Sequence, residues 1–157
     1  MNYIGWFIWA LALTGSVEYF WHKYVLHHNA HKYLKHYCIS HVVGHHRDGL
    51  NDRTNHINIH MRDGMIAVAP IILIQMCFGL YIEAIIVGLS VVIYCKIWSE
   101  VHANIHEVGG KWTGSFPIFK RIKAHHLRHH EEVGKNFSAL FSPTMDVICR
   151  TSAGKGI

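Results

Sequence analysis

The chain has 157 residues, about the length of one domain; half are hydrophobic, 16% are charged, and the formal net charge is +5. Its four cysteines, Cys38, Cys77, Cys95 and Cys149, show no CxxC pairing, which excludes a disulfide framework and a zinc ribbon. A Walker loop, a dinucleotide fingerprint and a serine or cysteine nucleophile motif are also missing, so nucleotide and acyl-transfer chemistry have no carrier.

The first predicted element is an apolar helix over residues 3–21, long enough to cross a bilayer once. It lacks the basic start and small-residue cleavage site of a secretory signal, and it runs straight into a histidine pair. Glu18 is the one charge in its last turns. A carboxylate there is costly and calls for a partner. It is read as an acceptor for a metal-ligating imidazole one turn on, in preference to a mate for Lys23. The next apolar run, residues 65–97, is too long for one span and short of the roughly 40 residues that two spans need. It predicts a hairpin of helices at 64–81 and 84–101, turned near Gly79, Leu80, Tyr81, Ile82 and Glu83; a re-entrant hairpin is the alternative. With three spans, all fifteen Lys and Arg residues fall in 23–63 and 96–157, on one side of the membrane. The positive-inside rule makes that side cytoplasmic. Attraction to anionic headgroups explains the same charge, and no nucleic-acid partner is expected. A last helix is expected to begin near Phe119, after Pro117, with Lys120, Arg121, Lys123 and Arg128 away from its histidines. The tail from Ser152 is expected to fray. The expected fold is therefore all-α and single-domain over 1–157: about three transmembrane helices and a cytoplasmic helical cap built from 22–63 and 102–151.

Sixteen residues are histidine, and ten of them fall in four spaced clusters on the basic side. These are His22 and His27; His41, His45 and His46; His102 and His106; His126, His129 and His130. Imidazole is the commonest metal-ligating side chain and suits iron, zinc, copper and nickel. Ten ligands are too many for one ion and suffice for two with about five each, leaving an open octahedral position on each. On an ideal helix His102 and His106 share a face, as do His41 and His45, and as do His126, His129 and His130. His46 lies about 100° from His45 and can serve the other ion. His22 and His27 stand about 140° apart on an ideal helix, so they straddle two ions or the helix distorts. His28 and His125 neighbour the clusters and are less certain ligands; His31, His36, His56 and His60 read as surface or hydrogen-bonding residues. Asn104, with Glu100, Glu107 and Asn136 behind it, is a further candidate to support a ligand. Tyr19, Phe20, Trp21, Tyr24, Tyr94 and Trp98 read as an interfacial belt, with the wall of a lipid tunnel as the alternative. Cys77 and Cys95 read as small buried hydrophobes.

The ordered clusters resemble the fatty acid hydroxylase superfamily, also called the sterol desaturase family, of membrane-bound histidine-box di-iron oxygenases. Glu18-Tyr19 followed by His22 and His27 is similar to its first box. Lys123-Ala124-His125-His126-Leu127-Arg128-His129-His130 is similar to its last. Arg62-Asp63 with Pro70 resembles the stretch after the second box, and Asn136-Phe137, Ser142-Pro143, Met145-Asp146 and Arg150-Thr151 resemble its closing segment. The last box and the closing segment look most like fatty acid 2-hydroxylases; the short length looks like carotenoid ring hydroxylases. Two features depart from the 2-hydroxylases. Their second box is spaced by two where this chain has His41-x3-His45-His46, with Val42 in place of the first histidine, and no His-Pro-Gly-Gly haem loop of a fused cytochrome b5 is present.

The resemblance implies metal ligands at the ten clustered histidines and two iron ions, which zinc readily replaces on expression. It implies O2 as co-substrate and hydroxylation of a C–H bond in a fatty-acyl or related lipid. External electrons would come from a separate donor, such as cytochrome b5 or a ferredoxin with its reductase. A desaturase, or a sterol or carotenoid ring hydroxylase, would use the same site. A non-redox zinc- or nickel-binding membrane protein is the rival of a different class; it predicts histidines lining the membrane interior.

Overall fold

The computed structural model describes residues 3–28, 33–47, 53–107, 116–138 and 144–153, with the side chains of 53–60 excepted. The expectations for His31, His56, His60, Ser142 and Pro143 lie outside the described residues and side chains. Among the described residues all regular structure is helical. Helix α1 is Tyr3–Phe20, followed without a break by a π-helical segment, Trp21–His27. The short α2, Lys35–Ile39, continues into a second π-helical segment, Ser40–Arg47. Then come α3 (Arg53–Cys77), α4 (Tyr81–Ile105), α5 (Pro117–Glu131) and α6 (Thr144–Ile148).

Helix α4 is the central element because its sequence repeats apolar residues every three or four positions. Ala84, Val87, Val91, Tyr94, Trp98, Val101 and Ile105 are all buried along one stripe. Leu11 of α1 and Phe119 and Ile122 of α5 pack on Tyr94, Trp98, Val101 and Ile105. Val17 of α1 and Met61, Val68 and Ile72 of α3 pack with Val91 and Cys95. Gly64 allows α3 and α4 to approach closely: a Cβ there would lie 2.5 Å from Cys95 Sγ. Gly64→Ala is therefore expected to cost about 1–3 kcal/mol through overpacking. The check is a thermal melt in detergent; an unchanged midpoint would contradict the close approach.

The hairpin turn comes slightly earlier than expected, at Phe78–Leu80, with Gly79 at φ 74°. Glu83 belongs to the first turn of α4, where its charge opposes the helix dipole favourably. Helix α5 begins at Pro117, two residues ahead of the predicted start, because proline needs no amide partner at a helix N-terminus.

The predicted spans need adjustment. Among the described residues one helix, α4, is long and apolar enough to cross a membrane by length and composition. Helix α3 starts at Arg53 and stops at Cys77, so the expected 64–81 span is cut at its far end. Its apolar part, residues 64–77, covers about 21 Å at 1.5 Å per residue, short of the about 30 Å hydrocarbon core. Helix α1 carries Thr14, Ser16 and Glu18 in its last turns. Even so, Ile4, Ile8 and Trp9 of α1, Leu73, Ile74 and Met76 of α3, and Ile82, Ile85, Leu89 and Ile93 of α4 expose large apolar side chains. Such a broad apolar surface marks a membrane or partner contact.

The aromatic belt is corrected in half its members. Tyr19, Tyr94 and Trp98 are interior residues, at most 7% exposed, because they fall on the stripe where α1 and α4 meet the histidines. Phe20 and Tyr24 are exposed and stack on each other. Cys95 is buried as expected, whereas Cys77, the last residue of α3, is exposed.

Candidate metal centre

The ten clustered histidines meet at one end of α1 and α4, in two groups of five. The first is His22, His27, His41, His46 and His129; the second is His45, His102, His106, His126 and His130. Within each group the nitrogens lie within 4.8 Å of one another.

The two π-helical segments decide this partition. In an α-helix an i, i+5 pair diverges, but a π turn brings it onto one face. His22 and His27 are such a pair, with Nε2 atoms 3.1 Å apart in the first segment. His41 and His46 are another, also at 3.1 Å, in the second. All four therefore enter the first group. His45, one residue from His46, is left to face the second. The expected pairing of His41 with His45 is corrected accordingly, and His22 and His27 converge rather than straddle two ions. Helix α5 is split in the same way. His126 and His130, i and i+4, face the second group with Nε2 atoms 3.1 Å apart. His129 turns to the first, 3.0 Å from His27. The three histidines of α5 thus do not share one site, because the two groups sit side by side along its inner face. His102 and His106 do share one, as expected, each within 3.0 Å of His126. The groups abut where the His46 and His130 rings stack, centroids 4.2 Å apart.

Hydrogen bonds on the outer nitrogens settle which nitrogen faces inward. His22 Nδ1–H donates to the Phe137 carbonyl at 2.7 Å. His129 Nδ1–H donates to the Lys135 carbonyl at 2.6 Å. A carbonyl accepts only, so the proton is on Nδ1 and the Nε2 lone pair points into the group. The Nδ1 atoms of His27, His46 and His126 are buried with no partner among the described residues.

The donor set fits a metal ion. His22, His27 and His41 form a triangle of Nε2 atoms with every edge 3.1 Å. Three lone pairs aimed at one point repel unless a cation sits between them. Metal–nitrogen bonds of about 2.1 Å place neighbouring ligands about 3.0 Å apart in an octahedron and about 3.4 Å apart in a tetrahedron. The observed 2.9–3.1 Å edges suit the octahedral arrangement. Five nitrogens leave one of its six corners for another ligand.

The electrostatics agree. Burial first, then neighbouring imidazoles, pushes His27 down to about 3 and His46 to about 2. Burial likewise brings His106 and His129 to about 4. His22, His41 and His126 are held well below the ordinary value by burial and by other histidines, and His130 is lowered by burial. The rings are neutral at pH 7, as ligands must be. In the unfolded chain the same groups titrate near 6.5. The folded state therefore binds fewer protons between about 6.5 and the lowered values, and stability falls with pH across that window. The metal-free protein is expected to melt at a constant temperature above pH 7 and progressively lower from pH 6.5 to 4.5. A flat profile would contradict the buried neutral cluster.

The remaining expected site residues make the following contacts. Glu18 accepts from the Tyr94 hydroxyl at 2.8 Å, and Lys23 lies instead at the Tyr19 hydroxyl, 3.5 Å away. The Asn104 side-chain amide donates to Glu100 O one turn back, at 2.6 Å. Glu107 pairs with Lys123 at 3.0 Å on the exposed surface. His28 is exposed, with Nδ1 on Lys23 O, and the His36 ring packs against Tyr37. His125 Nε2 lies 3.1 Å from Asp146 Oδ2, in neither group. Asn136, at φ 54°, donates to His125 O and accepts from Ala153 N–H.

Sequence reasoning did not select Asp146 as a site residue. It is fully buried and accepts from Phe137 N, Ser138 N, Thr151 Oγ1 and His125. Burial opposes its charge, but these bonds outweigh burial and hold the carboxyl below its ordinary value. Its only signal was membership of the closing segment. Trp98, stacked on His102 with centroids 4.4 Å apart, was likewise read as belt. The two carbonyl acceptors carry no sequence signal, since every residue has one.

The family model for fatty acid hydroxylase matches residues 7–151, nearly the whole chain. No curated protein and no solved structure matches the chain.

Proposed function

Because the chain belongs to the fatty acid hydroxylase family, we propose that it is a membrane-bound di-iron hydroxylase that inserts one oxygen of O2 into a C–H bond of a fatty-acyl or related lipid. The observation that supports this most is the pair of adjoining histidine pentads, each with five imidazole donors and room for a sixth ligand. A structural zinc site would close with four ligands.

In this reading His22, His27, His41, His46 and His129 hold one ion and His45, His102, His106, His126 and His130 the other. When bound, two iron ions supply the activation of O2, with two external electrons and two protons, that converts C–H to C–OH and releases water. The chain's own residues do the rest. The Phe137 and Lys135 carbonyls hold the protons of His22 and His129 away from the centre. Trp98 covers His102, and Phe119 and Ile122 close the apolar layer beneath it, excluding water. In this reading the exposed apolar faces of α1, α3 and α4 meet the membrane and the site lies at its surface, within reach of an acyl chain; the exposure of those faces supports it. We read α1 and the α3–α4 hairpin as embedded together, with the basic segments and the site on the cytoplasmic side. A separate redox protein delivers the electrons.

The test is untargeted lipid mass spectrometry on membranes expressing the chain with an electron donor. A lipid pool about 16 mass units heavier supports hydroxylation and identifies the substrate class. A pool about 2 units lighter would reassign the site to desaturation. No change with iron-loaded protein would overturn lipid oxidation and favour metal handling.

A further inference from the structure

Both outer-nitrogen acceptors, the carbonyls of Lys135 and Phe137, serve the same pentad. His22 and His129 both belong to the first group, and no bond from this segment reaches a ligand of the second among the described residues. Residues 135–138 form no helix or strand of their own, so something else must hold those carbonyls still. Asp146 does so. Its Oδ1 accepts from Phe137 N at 2.8 Å and Thr151 Oγ1 at 2.7 Å. Its Oδ2 accepts from Ser138 N at 2.8 Å and His125 Nε2 at 3.1 Å. Asn136 N–H donates to Thr151 O, and Thr151 N–H to Asp146 O, closing the loop onto α6. The Tyr19 hydroxyl meets Thr151 Oγ1 at 2.9 Å, three residues before His22 on the same helix. The carboxylate is 0% exposed, out of reach of bulk solvent.

We propose that Asp146 is a positioning residue chiefly for one of the two metal ions: through the Phe137 and Lys135 carbonyls it orients His22 and His129, whereas it meets the other pentad only through His125, which neighbours His126 on α5 and lies in neither group. The inference rests on the two-metal reading above. A carboxylate that only stabilised the fold would affect both sites alike, so the two sites must be read separately.

The experiment uses the full chain in detergent, stripped of metal and titrated with Zn²⁺ alone against a chelating competitor. In a His102→Ala background only the first site retains all five ligands; in a His22→Ala background only the second does. Adding Asp146→Asn is expected to weaken zinc binding about 10–100-fold in the first background and by less than about threefold in the second. Thr151→Val, which removes one donor to the same carboxylate, is expected to act in the same direction with a smaller effect, and Thr151→Ser to restore binding. These milder variants decide the matter if Asp146→Asn does not fold. Equal weakening in both backgrounds, or none in either, overturns the proposal while leaving the two-metal reading intact. A wild-type chain that binds no zinc overturns the two-metal reading itself, and this proposal with it.

Discussion

His129→Ala is expected to abolish the hydroxylated lipid while leaving the protein folded and in the membrane. His129 is fully buried, and its Nε2 lies 3.0 Å from that of His27. Its other nitrogen is tied to Lys135 O, so the ring can turn only by breaking that bond. Alanine removes one of five donors from the first group and lets water into the gap. In the proposed reading both ions act as a unit, so loss of one site removes the reaction rather than halving it, by about 10³-fold or more. Zinc should bind the first site more weakly and the second as before, which separates this outcome from unfolding. His28→Ala is the control: that ring is exposed and lies in neither group. A His129→Ala chain that kept more than a tenth of wild-type product would sink the assignment.

Removing the metal from the wild-type protein should lower its melting temperature by about 15 °C or more. Ten imidazoles have been brought together, and without a cation the lone pairs aimed at each site oppose one another. Any ligand that binds only the folded state stabilises it by mass action, about 4 kcal/mol per site at a thousandfold excess over its dissociation constant. Two sites give about 8 kcal/mol, and each kcal/mol is worth roughly 2–4 °C for a chain of this size. Tryptophan fluorescence melts in detergent, before and after chelation and again after readdition, measure this directly. An unchanged midpoint with metal loss verified by elemental analysis would mean that the pentads do not hold ions in the folded protein.

Much of the centre was legible from residue type and order. The ten histidines stood out because imidazole is seldom clustered without cause, and the count alone implied two groups of five. The all-helical fold followed from apolar runs whose length and period suit helices. The α4 stripe from Ala84 to Ile105 is the clearest case. The exact spans were less legible, because an apolar run shows that a segment avoids water but not where its helix begins. Helix α3 continues back to Arg53 through polar residues that no hydropathy argument would include.

Which histidines share an ion was decided by tertiary structure. Angles on an assumed α-helix put His22 and His27 apart and His41 and His45 together; the backbone is π-helical at both places, which bears out the helix distortion allowed for at His22–His27 and overturns the His41–His45 pairing. A π turn is rare and forms where surrounding contacts over-determine it. Here the contacts come from other segments: His129 of α5 and Phe137 O bind the first group from outside its own helix. The i, i+5 spacing, present twice, was the available hint. Asp146 was hidden for a related reason, since it acts on the ligands through backbone carbonyls, which look alike in every sequence. Side-chain chemistry, charge and hydrophobic period are properties of the residues themselves, so the sequence by itself determined the metal-binding character and the helical class. The pairing of ligands, their tautomers and the clasp that holds them depend on backbone pitch and on contacts between distant segments, and only the folded chain decided those.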